Sequence, residues 1–269
     1  MPANPLASTP QDPLIQPEAR PPQPFWVQLW DLTLIQLSNW RWSWRGALLT
    51  GVLTPLFSMV ALSTFARGSS RQTFEYILAG NLVMSLMFEN LGRVCSNFAY
   101  MKAVGTLNYF ATLPVHRTSL ILGTVLSFFT LSLPALAITL LFGRFLLDVP
   151  LHLSLLLLVV IPAISIPLSG IGALIGVYAR LPEEAGSLSL LVTLVLLGLG
   201  PVVVPPDRLP GWMLILGWLS PASYAASALR QALIGPLTLR ILLDLGVLLG
   251  LAAAVLWIVS RKMDWRLAR

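Results

Sequence analysis

A chain of 269 residues, 56% of them hydrophobic and only 10% charged, is not composed to fold in water, where about 25% charged residues is usual. Its formal charge of +6 is scattered over separate short segments instead of forming one basic stripe, so composition excludes a nucleic-acid binder. The single cysteine, Cys95, excludes an internal disulfide and a thiolate metal site and reads as a small apolar space-filler.

Several apolar runs approach the ~20 residues that cross a ~30 Å hydrocarbon core. A β-barrel would show alternating strands of ~10 residues, and runs such as 153–161 do not alternate. The expected class is therefore an all-α membrane protein. Residues 1–24 hold eight prolines and no apolar h-region, which reads as a disordered cytoplasmic tail and not a signal peptide. In residues 25–44, Gln28, Asp31, Gln36 and Asn39 recur at helical spacing against Trp26, Leu29, Trp30, Leu34 and Leu37. Five of the nine tryptophans, among them Trp26, Trp30 and Trp40, fall here, and tryptophan prefers the headgroup boundary. This predicts an amphipathic helix lying on membrane lipid and turning into the first span. An aromatic belt on a longer first span is the alternative.

A transmembrane domain follows over 45–260, with six spans at 45–66, 73–95, 118–141, 151–177, 185–204 and 237–259, then a basic cytoplasmic tail over 261–269. With the amino terminus inside, ten basic residues near the spans fall on the inner side and six on the outer. That bias favours a multi-pass protein of the cell's inner (plasma) membrane with both termini cytoplasmic. Residues 211–234 are apolar enough for a seventh span, but Ser220-Pro221 interrupts them, and a seventh span would export the basic tail. They are predicted to form two half-helices re-entering from the outer side, because broken helices at membrane depth need cover from protein or water.

The second span carries Asn81, Ser85, Glu89, Arg93 and Asn97, each four residues after the last. On a helix this makes a slowly winding polar stripe in which Glu89 and Arg93 can pair at i,i+4. Charges in hydrocarbon usually face a bundle interior or a watery cavity, so the stripe reads as a translocation path or dimer seam. A self-satisfied pair near the inner interface reads equally well. Arg240 and Asp244 form a similar, structural pair in the last span. Gly170-Ile-Gly172-Ala-Leu-Ile-Gly176 lies inside an apolar span with no strand before it, so it is no dinucleotide fingerprint. Gly172 and Gly176 instead let helices approach closely.

His116 and His152 lack a carboxylate or thiol at ligand spacing, so no zinc or nucleophilic site is assembled. Glu183 and Glu184 begin the fifth span, where a helix dipole favours carboxylates. No Gly-x-x-x-x-Gly-Lys-Ser/Thr occurs, so the chain has no P-loop for nucleotide phosphates.

Between two long apolar runs lies a polar, proline-punctuated loop whose centre is Gly105-Thr-Leu-Asn108-Tyr-Phe-Ala-Thr-Leu-Pro114, with Arg117 shortly after. This resembles the coupling-helix loop of ABC-2 type transporter permeases, which carry Gly-Thr-Leu-Glu, then a Ser/Thr and a Pro, then a basic residue. Such permeases also have an elbow helix before the first span. Their outer segment is similar to Ser220-Pro221-Ala-Ser-Tyr224 with Arg230 and Gly235 following. One departure is Asn108, where the family often has Glu; a salt bridge there is lost while hydrogen bonding is kept.

The resemblance implies a half-transporter: two permease copies, as a homodimer, with two copies of a separate ABC ATPase subunit. ATP and Mg would bind in that partner and no cofactor in this chain. Lys102, Gly105, Thr106, Asn108, Tyr109, Phe110, Pro114 and Arg117 would receive the ATPase's push, with Glu183 and Glu184 as a second contact. Export of an amphipathic, lipid-like or glycan cargo is implied. The competing class is an ion-coupled secondary transporter or channel, which would need mid-membrane carboxylates; only Glu89 comes near. No inverted repeat supports it. A membrane-embedded enzyme would need converging His, Asp or Ser groups, and none are assembled.

Overall fold

The computed structural model describes residues 23–38, 45–46, 49–66, 68–149, 151 and 154–262. Trp40 and His152 lie outside them, as does most of each predicted terminal tail. Among the described residues the structure is helical, with no strand. Helix α1 covers Phe25–Ser38. A π-helical turn, Leu49–Leu53, runs into α2, Thr54–Phe65, whose Pro55 occupies the first turn, where no amide donor is needed.

After Gly68, at φ +82°, α3 (Arg71–Leu86), a π-helical turn (Met87–Gly92) and α4 (Arg93–Ala103) follow without a break. Their junction residues all keep right-handed helical dihedrals. The result is one rod of roughly 50 Å at 1.5 Å per residue, where the sequence suggests a span ending at Cys95. Nothing between Arg93 and Ala103 breaks a helix, so the rod continues past the apolar stretch.

A short helix α5, Thr106–Thr112, leads to α6, Arg117–Leu147, which carries Pro134 in its interior. Helix α6 outruns the predicted 118–141 and ends only where Asp148 turns left-handed at φ 48°. Helix α7 is Leu157–Tyr178, starting later than the predicted 151. Leu181 is extended because Pro182 follows, and Pro182 then opens α8, Pro182–Gly198. Gly200, at φ +97°, and Pro201 end that run short of the predicted Val204. The predicted break at Ser220-Pro221 separates α9, Gly211–Gly217, from α10, Pro221–Leu233. Helix α11, Arg240–Lys262, closes the described chain.

Among the described residues, three helices are long and apolar enough to cross a membrane: α6, α7 and α11; Gly51–Phe65 is apolar but shorter. Lipid tails are as apolar as leucine, so bundle packing rests on close contact and not on water exclusion. The rod meets that demand. A Cβ on Gly172 or Gly176 of α7 would run into the carbonyl oxygens of Leu91 and Cys95. Those four positions let two backbones touch. One buried cluster gathers Leu78, Leu82, Leu86 and Met87 of the rod with Leu168 of α7 and Leu229 of α10. A second gathers Phe98 and Met101 with Leu107 and Phe110 of α5, Leu120 of α6, Leu32 of α1 and Val259 of α11.

Candidate coupling site and buried polar stripe

The rod stops at a glycine. Val104 N–H donates to Tyr100 O at 3.0 Å and Gly105 N–H to Lys102 O at 3.2 Å, closing α4. Gly105 then takes φ +80°, a left-handed conformation that costs other residues about 1–2 kcal/mol. Its carbonyl accepts from Asn108 N–H at 3.0 Å and Tyr109 N–H at 3.3 Å, opening α5. A Cβ there would meet nothing within 4 Å, so dihedral and not space selects glycine. One residue ends one helix and starts the next.

Helix α5 buries Leu107 and Phe110 against the second cluster and leaves Tyr109 63% exposed. Thr106 and Asn108 sit half-buried in its first turn, and Pro114 is exposed after it. Tyr100 of α4 and Val104 just past its end are also exposed, as are Tyr178 at the end of α7 and Leu181 in the loop after it. Lys102 ties the two loops together: its ammonium donates to Val177 O at 2.8 Å and Ala179 O at 3.0 Å. A cation at those last carbonyls satisfies groups the helix leaves open. Lys102 is thus committed to the end of α7. Glu184 accepts from Arg180 N–H at 2.9 Å across the start of α8, while Glu183 is exposed beside it. Arg117 begins α6 on the exposed side.

Helix α1 lies along the first half of α6, where a Cβ on Gly123 would stand 3.1 Å from Leu32 Cβ. The face turned to the protein carries Gln28, Thr33 and Gln36, buried with Leu32 among them, while Trp26 is 75% and Trp30 60% exposed. Asp31, expected on the polar face with the glutamines, instead stands exposed beside Trp30. The Gln28 amide donates to Pro114 O at 3.3 Å and accepts from His116 N–H at 3.0 Å. It also donates to Gln23 O at 2.8 Å. Gln36 donates to Thr124 Oγ1 at 3.4 Å and approaches Met101 Sδ at 3.7 Å, and its oxygen accepts from Asn97 at 3.3 Å. Spacing alone marks these glutamines as a polar face; it does not say that the face turns inward.

The stripe is an interior feature of this one chain. Asn81, Ser85 and Glu89 are at most 1% exposed. On a straight α-helix, residues four apart drift by about 40° per step. The wider π turn at Met87–Gly92 winds back, which keeps Glu89, Arg93 and Asn97 close to the face of Asn81 and Ser85. Asn81 donates to Ile77 O at 2.8 Å, and Ser85 to Gly51 O at 2.7 Å. Arg93 stands 3.2 Å from the Glu89 carboxylate. That carboxyl packs so tightly on Gly51 that a Cβ would collide with it. Sequence reasoning passed over Asn90, off the four-residue register, which accepts from Ser169 of α7 at 3.3 Å.

At the opposite end of the bundle, Arg230 of α10 stacks over Tyr76 at 3.9 Å and reaches Pro201 O at 3.4 Å. Gln231 donates to the buried Asp244 at 3.1 Å and accepts from Thr238 Oγ1 at 2.7 Å. Arg240 lies 4.0 Å from Asp244. Among the described residues, no group of histidines, cysteines and carboxylates could hold a metal ion.

Comparison with known proteins gives the chain a family. The chain is 30% identical over 139 residues to the daunorubicin resistance ABC transporter permease protein DrrB1 of Streptomyces coeruleorubidus, an alignment covering 49% of this chain and 47% of that protein. It thus spans about half the length of that curated relative. A sequence profile of the ABC-2 type transporter matches residues 27–234. That match runs from α1, through the Gly105 turn and α5, to the end of α10, and on it the chain belongs to the ABC-2 type transporter family.

Proposed function

We propose that this chain is the transmembrane permease subunit of an ATP-binding cassette exporter, driven by ATP hydrolysed in a separate subunit. The observation that carries the reading is the end of the rod. Tyr100, Val104 and Tyr109 stand exposed around a glycine turn, with Tyr178 and Leu181 beside them through the Lys102 bridge. Aromatic side chains around a small helix suit a protein partner, since Tyr and Arg dominate binding hot spots. The chain itself has no P-loop. A push on α5 passes through Gly105 into α4 and so into a continuous helix reaching Arg71, which suits a rigid-body switch.

The fuller reading is six crossings, with α9 and α10 as a re-entrant outer pair, both termini in the cytoplasm of a cell with this protein in its plasma membrane. Two copies form a homodimer with the path between them. The buried stripe lies inside each copy, behind that path, where it holds the rod to its neighbours. Export of an amphipathic compound is favoured, since the relative is named for daunorubicin resistance. Pull-down of the tagged chain from its native membrane, repeated with Gly105→Arg and Tyr109→Arg, tests this. An ATPase captured by the original and lost from both variants is expected. No ATPase under gentle extraction would overturn the reading.

A further inference from the structure

Helix α1 shares its long packed edge with α6, and its link to the loop leaving α5 is the Gln28 side chain. The amide bridges that loop as a donor to Pro114 O and an acceptor from His116 N–H, at 3.3 and 3.0 Å. The Phe25 and His116 rings lie 6.4 Å apart beside it. Eight residues on, Gln36 repeats the device. It donates to Thr124 of α6, accepts from Asn97 of α4 and touches Met101 of α4. Both glutamines are nearly fully buried, at 4% and 7% exposure, whereas Val27, Trp30, Leu34 and Ile35 point outward, with Asp31 the one charge exposed among them.

The arrangement inverts what a soluble amphipathic helix would do. Lipid covers apolar side chains without loss, so the outward face holds α1 at membrane level but gives it no fixed register on the protein. Register comes from the buried amides, because a buried donor or acceptor left without a partner costs about 1–3 kcal/mol. An amide offering both a donor and an acceptor to one backbone loop also fixes direction, which a leucine at the same site cannot do.

We propose that Gln28 and Gln36 are positioning residues for energy coupling: they lock α1 to the exit of the coupling helix and to the rod, so that α1 and α5 travel as one body. Gln28 fixes the loop after α5, and Gln36 fixes the helix before it. This rests on the reading of the chain as an ATP-driven permease. What it adds is the pair of side chains, Gln28 and Gln36, through which α1 and α5 hold together.

The test uses the full permease–ATPase complex in lipid nanodiscs, with spin labels on exposed positions outside the clip. One pair is at Ile35 and Ala111, across α1 and α5. A second is at Ala111 and Leu239, across the bundle. Distances are measured without nucleotide and after trapping with MgATP and vanadate. The second pair is expected to change while the first stays within about 2 Å, the scale of small helix shifts. In Gln28→Leu the first pair should then change on trapping, with ATPase capture retained. A first pair that changes in the unsubstituted chain overturns the proposal. So does a first pair that stays fixed in both Gln28→Leu and Gln28→Leu/Gln36→Leu. Should neither pair respond to nucleotide while an ATPase is bound, the transport reading fails, and the clip's role with it. Should Gln28→Leu be poorly folded, Gln28→Glu keeps the acceptor for His116 N–H and loses the donor to Pro114 O. Its first pair is expected to loosen to an intermediate degree, and an unchanged distance there would also overturn the assignment.

Discussion

At one end of the bundle neutral amides hold α1 to its neighbours, Gln28 to the loop after α5 and Gln36 to α6 and α4. At the other, α10 is fastened by ions: Arg230 on the face of Tyr76 at 3.9 Å and Gln231 on the Asp244 carboxylate at 3.1 Å. Neutral hydrogen bonds exchange with water or another partner at a net cost near 1 kcal/mol. An ion stripped of its partner in a poorly hydrated place costs several times that. The difference gives the end that carries the exposed tyrosines a clip that sets register at a small cost per bond, and the end away from it a fastening that is costly to break.

The comparison can be broken first where the charge rule should bite hardest. Glu89→Gln leaves Arg93 facing a neutral amide inside the bundle, and is expected to cost about 3–5 kcal/mol, read as a large drop in thermal stability in detergent. Glu89→Gln combined with Arg93→Met should recover most of the loss. If the single change were silent, buried charge would not be what holds the rod. Next in size, Arg230→Ala removes both the stacking on Tyr76 and the bond to Pro201 O. A loss of about 2 kcal/mol is expected, from a cation–π contact and a charged hydrogen bond, measured by unfolding in the same detergent.

At the end with the exposed tyrosines the effect moves from stability to binding. Tyr109→Ala, on a side chain 63% exposed, should leave the melting temperature unchanged and weaken ATPase association by about 2 kcal/mol, or roughly 30-fold. Titration of purified ATPase onto immobilised permease checks it. The smallest effect is expected from Asp244→Asn. Arg240 is 59% exposed at 4.0 Å, so its attraction is largely screened, and asparagine still accepts from Gln231. Under about 1 kcal/mol is expected. A larger loss would place the outer fastening on Asp244 and not on Arg230.

How far the sequence foretold all this depends on whether the cause is local. The break at Ser220-Pro221 and the i,i+4 pair Glu89–Arg93 follow from residues a few positions apart, and each is where spacing puts it. The close approach of Gly172 and Gly176 to the rod also follows from a short motif. Contacts over long separations were not legible. Lys102 finds Val177 and Ala179 some 75 residues away, and Gln28 finds His116 at 88. Periodicity identifies a polar face without saying whether water, lipid or protein covers it. Helix ends were misjudged where hydropathy and helix-breaking disagree. Helix α6 continues to Leu147 through Pro134, and the rod outlasts its apolar stretch at Cys95. The π turn that keeps the stripe on one face leaves no mark in composition.

Cys95 gains a practical meaning from its position. The only thiol of the chain is fully buried where α4 meets α8, its sulfur donating to Ala185 O at 3.3 Å. A water-soluble maleimide should therefore ignore the native protein and react only when those two helices part. The chain carries its own clock for that opening: the labelling half-time of Cys95, with and without nucleotide, times how often the junction between rod and α8 comes undone. Cysteines introduced elsewhere can be modified without first replacing it.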